Sequence, residues 1–194
     1  MRKILAVACI VGLFLAWTRL PLVIDVIARA ARPVGFAAQR PPLSPHETTS
    51  ATIDGAALSI TYGRPSMRGR RIFGGLVPFD RVWCPGADEC TRLSTNRDLQ
   101  FQGLTLKAAD YSLWMLPTES AWTLIFNSDG RAFHTGRDSR RDVGKIQLQK
   151  QTLPAPVEQL TFSLEPNPAG QGGLLVFRWE TTRVVAPFSV VPAR

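Results

Sequence analysis

The sequence predicts an all-β domain, an antiparallel β-sandwich or barrel-like fold, preceded by an N-terminal hydrophobic helix. Three observations predict it. From residue 46 onward, apolar residues recur at every second position in short segments separated by turn residues, the period of strands with one buried face. Fifteen Gly and fifteen Pro interrupt a chain of 194 residues too often for a helix bundle. One charge-free apolar run, residues 4–17, stands apart at the front.

That run follows Arg2 and Lys3. It suits the apolar centre of an export signal and is shorter than the ~20 residues that span a bilayer. Ala28-Arg29-Ala30 offers a small-x-small cleavage site. Leu20, Val23, Ile24 and Ile27 share one helical face, which suits an uncleaved anchor lying against the membrane. Residues 1–30 are therefore a signal peptide or an uncleaved membrane anchor. In the second case residues 4–28 contact the membrane. Residues 31–45 form a Pro-rich linker, and residues 46–192 the β domain. Both readings export the domain to the periplasm or cell envelope, attached to the inner membrane if the segment is kept.

Within the domain, strands are expected at 49–54 and 57–62, joined by a tight hairpin at Gly55-Ala56. Residues 63–90 lack alternation and are rich in Gly, Pro and Arg. Ile72, Phe73, Leu76, Val77 and Trp83 need cover there, so a packed excursion is expected, with one helical turn over 73–77. Strands resume at 91–95, 99–101 and 104–106, the last two joined by a turn at Gln102-Gly103. Residues 111–116 and 121–127 are apolar on both faces and are expected to be central. Residues 131–142 form an exposed basic loop. Four more strands are expected, at 145–153, 158–164, around 175–180, and at 182–190, with Pro187 at an edge or bulge.

Net charge is +8, with 19 Arg and 4 Lys. Arg64, Arg68, Arg70, Arg71 and Arg81 cluster, but a nucleic-acid surface needs a basic stripe interleaved with stacking aromatics. No nucleic-acid partner is expected. Outside the apolar run the only cysteines are Cys84 and Cys90. In an oxidising compartment such a pair forms a disulfide more readily than a metal site. Zinc would need further ligands, and His46 and His134 are not at ligand spacing. A redox role is disfavoured by the C-x5-C spacing.

Several stretches carry a family resemblance: SPHETTSATID (44–54), YGRPSMRGRRIFGGLVPF (62–79), the VW and GADE segments within 82–91, and YSLWMLP with AWTLIFN (111–127). On these the chain resembles the family catalogued as domain of unknown function 2911, a group of exported bacterial proteins. The resemblance implies a β-rich exported domain and no reaction. The family reads W-R-x-G-A-N-E-A-T where this chain has Trp83-Cys84-Pro85-Gly86-Ala87-Asp88-Glu89-Cys90-Thr91. An Arg and an Ala are replaced by two cysteines, which pairing with each other explains best. The missing Arg puts an anion-binding role of that position in doubt.

The candidate ligand-binding residues are His46, Tyr62, Arg64, Arg70, Trp83 and Glu89. His46 with a carboxylate and an arginine could do acid–base work or hold a polar ligand. Glu89 could be that carboxylate, or could only pair with an arginine of the 64–71 cluster. Tyr62 and Trp83 could wall a sugar ring, or could be core. No nucleophile elbow, HExxH, phosphate loop or dinucleotide fingerprint occurs, and no cofactor is expected. Two function classes fit. One is an envelope module that binds a small polar or carbohydrate-like ligand, or a partner protein. The other is a hydrolase or isomerase using His46, Glu89 and Arg64.

Overall fold

The computed structural model describes residues 44–192. The N-terminal helix, the signal or anchor, and most of the linker lie outside these residues. Among the described residues there is no α-helix, and no helix is long and apolar enough to cross a membrane. Nine strands are present: β1 (His46–Ile53), β2 (Ala56–Gly63), β3 (Arg92–Thr95), β4 (Leu99–Phe101), β5 (Leu104–Leu106), β6 (Asp110–Pro117), β7 (Trp122–Asn127), β8 (Asp142–Pro166) and β9 (Gly173–Val190). One 3-10 turn, Ser139–Arg141, precedes β8. All pairings are antiparallel. The strands form one open sheet in the order β1-β2-β3-β6-β7-β8-β9-β4-β5, so β1 and β5 are its edges.

The first hairpin turns one residue earlier than expected. Ile53 pairs with Ala56, and Asp54 and Gly55 both have positive φ (47° and 78°). Two left-handed residues make a type I′ turn, whose twist matches the flanking strands. Gln102-Gly103 turns as expected, with Phe101 paired to Leu104.

The four expected C-terminal strands are two long ones. Pairing of β8 with β9 runs through Thr152↔Thr182, shifts at Val157↔Glu180, and resumes at Thr161↔Arg178. Pro154 and Pro156 fall in the interruption, where their missing N–H groups cost no ladder bond. Opposite them Glu180 has φ of +52°, and such irregularities bend a strand without ending it. The bend carries β8 back to the segment after β2. Met67 N donates to Glu158 O (2.8 Å), and Leu160 N to Pro65 O (3.0 Å). The sheet thus curls around its own apolar face.

The excursion 63–91 closes over that face. It holds a turn at 73–77, not a helix: Val77 N donates to Ile72 O, and Gly74 N donates back to Val77 O. Ile72 N and Phe73 N donate to the two carboxylate oxygens of Glu180, docking the excursion at the β9 irregularity. Phe73 is buried edge-on to Trp122, with ring centroids 4.7 Å apart, and Trp83 stacks on Trp179 at 6.2 Å. Burial of a large apolar side chain is worth about 1.5–3 kcal/mol before ordering entropy. Leu76 remains exposed.

β6 and β7 are central and buried on both faces. Leu113, Met115, Leu124 and Phe126 enter the main core. Trp114 and Ile125 point the other way and are covered by Cys84, Cys90 and Ala132. The second apolar face of these strands is thus roofed by the loop that carries the cysteines.

Candidate functional site

The site is built on the outer side of the sheet, where β1, β2 and β3 meet that roof. Cys84 and Cys90 form a disulfide, closing the loop CPGADEC. The loop lies against the end of β2 because residue 63 is glycine: a Cβ there would sit 2.5 Å from the backbone oxygen of Ala87. On the other side the loop meets the segment after β7. Glu89 pairs with Phe133 in an isolated bridge, and Cys90 N donates to Ala132 O (3.1 Å).

Between these segments is a cavity of about 430 Å³, lined by His46, Thr61, Tyr62, Glu89, Cys90, Arg92 and residues 130–133. Its floor is apolar where Cys90 and Ala132 are buried. Phe133, half exposed at 54%, stands at its side with its ring 4.3 Å from that of His134. His46 Nε2 lies 3.7 Å from Asp88 Oδ2, and His134 Nδ1 contacts Asp88 O. Asp88, with φ of +66°, therefore links both histidines of the chain.

The sequence candidates divide in two. His46, Tyr62 and Glu89 line the cavity. Tyr62 is 1% exposed and cannot act as an open stacking wall. Its hydroxyl faces Glu47 Oε1 (3.3 Å) and Phe162 O (3.4 Å) as acceptors, and burial pushes the phenol above its ordinary range. Arg64, Arg70 and Trp83 are elsewhere. Arg64 Nη1 donates to Glu47 Oε2 (2.5 Å), Nε to Leu160 O (3.2 Å) and Nη2 to Thr161 Oγ1 (3.0 Å). Its carboxylate partner is Glu47, not Glu89. Arg70 donates to the carbonyls of Met67 and Ser66, knotting its own loop. Trp83 belongs to the main core.

Sequence reasoning missed Thr61, Arg92, Arg131 and Phe133. Thr61 and Arg92 are neighbours in register on β2 and β3. Arg92 is partly buried, and its Nε is buried with no acceptor among the described residues. The available signal was a lone arginine at the start of a strand; that it lies opposite threonine and not a carboxylate is set by the register. Among the described residues, no group of three or more His, Cys, Asp or Glu could hold a metal ion.

No curated protein and no solved structure matches the chain. A family model described as a protein of unknown function (DUF2911) matches residues 44–188. That match takes in all of β1 to β8 and nearly all of β9, the disulfide loop and the cavity, and the chain belongs to the DUF2911 family.

Proposed function

We propose that this domain is an exported, sandwich-like binding module of the cell envelope, and that its cavity takes a small polar or carbohydrate-like ligand. The observation that carries the reading is the cavity itself: an apolar floor, an exposed aromatic, and polar groups from β1, β2, β3 and two loops converging on it. Three buried donors lack an acceptor among the described residues: the Nε of Arg92, Nε1 of Trp122 and the Nε of Arg137. Only that of Arg92 belongs to a residue lining this cavity. An unsatisfied buried donor costs about 1–3 kcal/mol, which a ligand acceptor would offset. Export is supported by the apolar run at 4–17 behind two basic residues. The disulfide suits an oxidising compartment. The hydrolase or isomerase reading needs His46, Glu89 and Arg64 together, and the engagement of Arg64 by Glu47, Leu160 and Thr161 counts against it.

The test is thermal denaturation of the protein with a panel of neutral sugars, sugar acids, sugar phosphates and amino acids. A ligand of the native state raises the midpoint. Thr61→Phe, which fills the cavity and keeps a strand-forming residue, should abolish the rise. A panel that moves neither protein, or moves both equally, refutes the cavity as the site. A reporter enzyme active only in an oxidising compartment, fused after Val191, should be active. An intact but inactive fusion refutes export.

A further inference from the structure

We infer that the ligand of this cavity is an anion, a small carboxylate- or phosphate-bearing compound anchored by Arg92 with Arg131 beside it. The inference rests on the binding reading above and names its chemical class. It starts from how the arginines are used. Arg64 pairs with Glu47, Arg178 and Arg183 with Glu165, Arg137 with Asp142, Arg140 with Asp138, and Arg141 with Asp129. Arg70, Arg71 and Arg97 donate to backbone carbonyls. Arg92 and Arg131 differ. Neither guanidinium forms a hydrogen bond or ion pair among the described residues. That is also true of the exposed Arg81, but Arg92 and Arg131 line the cavity and Arg81 does not.

The lack of a partner at Arg92 follows from the sheet register. Its cross-strand neighbours are Thr61 on β2 and Ser112 on β6. The hydroxyl of Ser112 already accepts from Trp114 Nε1 (3.1 Å). Guanidinium remains charged at any physiological pH, and its planar fork matches a carboxylate or phosphate with two parallel hydrogen bonds. A neutral sugar would satisfy some donors and leave the charge uncompensated. Glu89 is the one carboxylate lining the cavity, and it forms no ion pair with either arginine. It offsets part of the positive charge and offers an acceptor for ligand hydroxyls. Phe133 presents an exposed ring to a carbon skeleton. The arrangement fits a compound with one anionic group and several hydroxyls, such as a sugar acid or a sugar phosphate.

Isothermal titration of the full chain with glucuronate, glucose 6-phosphate and glucose tests this. At least one of the two anions should bind about tenfold to a hundredfold tighter than glucose, the range of a charge-assisted pair. The stronger of the two identifies carboxylate or phosphate as the recognised group. Arg92→Met should reduce that anion to the affinity of glucose, and Arg92→Lys should fall between. Raising salt should weaken the anion and leave glucose unaffected. Arg131→Met changes an exposed side chain that the fold does not need, and it should weaken the anion by a smaller factor. Glucose binding as tightly as both anions overturns the inference and leaves the cavity reading standing. So does anion affinity unchanged in both arginine variants. No binding by any of the three at millimolar concentration overturns the inference, and failure of the wider ligand panel as well would overturn both.

Discussion

Arg64 directly follows β2 and Arg92 begins β3, so two partly buried guanidinium groups leave neighbouring strands of one sheet. Their surroundings are opposite. Arg64 reaches the bent half of β8 and meets a carboxylate, a carbonyl and a hydroxyl. Arg92 turns to the outer face, beside threonine and serine, and meets no acceptor. The first arrangement is complete and holds the curled sheet together. The second is incomplete until something enters from outside. The comparison teaches that an arginine's task is set by how many of its donors the fold has already occupied.

The comparison can be broken most strongly at the roof of the Arg92 region. Replacing Cys84 and Cys90 by serine should lower stability by up to about 2.4 kcal/mol, the chain-entropy value for so short a loop. Hydrogen exchange should accelerate around the cavity and stay unchanged at Leu160 and Thr161. Equal acceleration in both regions would mean that the two are not separate. Next comes Arg64→Ala, which strands Glu47 and removes three hydrogen bonds. The guanidinium is 23% and the carboxylate 42% exposed, so water offsets part of the loss, leaving about 2 kcal/mol. Urea denaturation, combined with Glu47→Ala in a double-mutant cycle, should show strong coupling. Additive effects would remove the claim that the pair acts as a clamp.

A smaller effect sharpens the contrast through another occupied arginine. Burial alone would raise the Glu165 carboxyl, but hydrogen bonds from Arg178 and Ser163 hold it below its ordinary value of 4.5. A lowered folded pKa stabilises above the unfolded value and is lost as pH falls through the folded one. Stability should therefore decline below about pH 4.5. Arg178→Met should flatten that decline, and Arg92→Met should not alter it. The smallest loss is expected from Arg92→Met itself. Removing a buried donor that has no acceptor should not lower stability, and relief of its desolvation cost should leave the variant at least as stable as the parent. A loss as large as that of Arg64→Ala would show Arg92 to be structural.

Much of the fold was legible because alternation reports burial directly. The apolar residues of 111–116 and 121–127 marked both faces as covered, and both are. The merging of the last four strands into two was not legible. Pro154, Pro156 and the residues around Glu180 read as breaks, since propensity cannot distinguish an end from a bend. The site was half legible. His46 and Glu89 come together because a short disulfide loop and the start of β1 lie against Gly63. Arg64 drew attention by its neighbours in sequence, but its partners Glu47, Leu160 and Thr161 are supplied by β1 and β8. Arg92 was overlooked for the reverse reason. Its distinction is a partner it lacks, and cross-strand register, which sequence leaves undetermined, decides that.

The strand order also carries a timetable. Six of the eight neighbouring pairs join consecutive strands. β2-β3 does so across the long excursion, and β1-β2, β4-β5, β6-β7, β7-β8 and β8-β9 do so across shorter turns or loops. The latter pairs close small loops and form early. The join between β4 and β9 is different, because Leu99↔Val190 and Gln100↔Ser189 link the middle of the domain's sequence to its last strand, 91 and 89 positions apart. A chain emerging from synthesis cannot pair β4 with β9 until nearly the last residue of β9 arrives. The final docking step then belongs to the β4–β5 hairpin. Pulse-labelled hydrogen exchange during refolding should find Leu99 and Gln100 protected after the β6–β7 amides, and simultaneous protection would contradict this order.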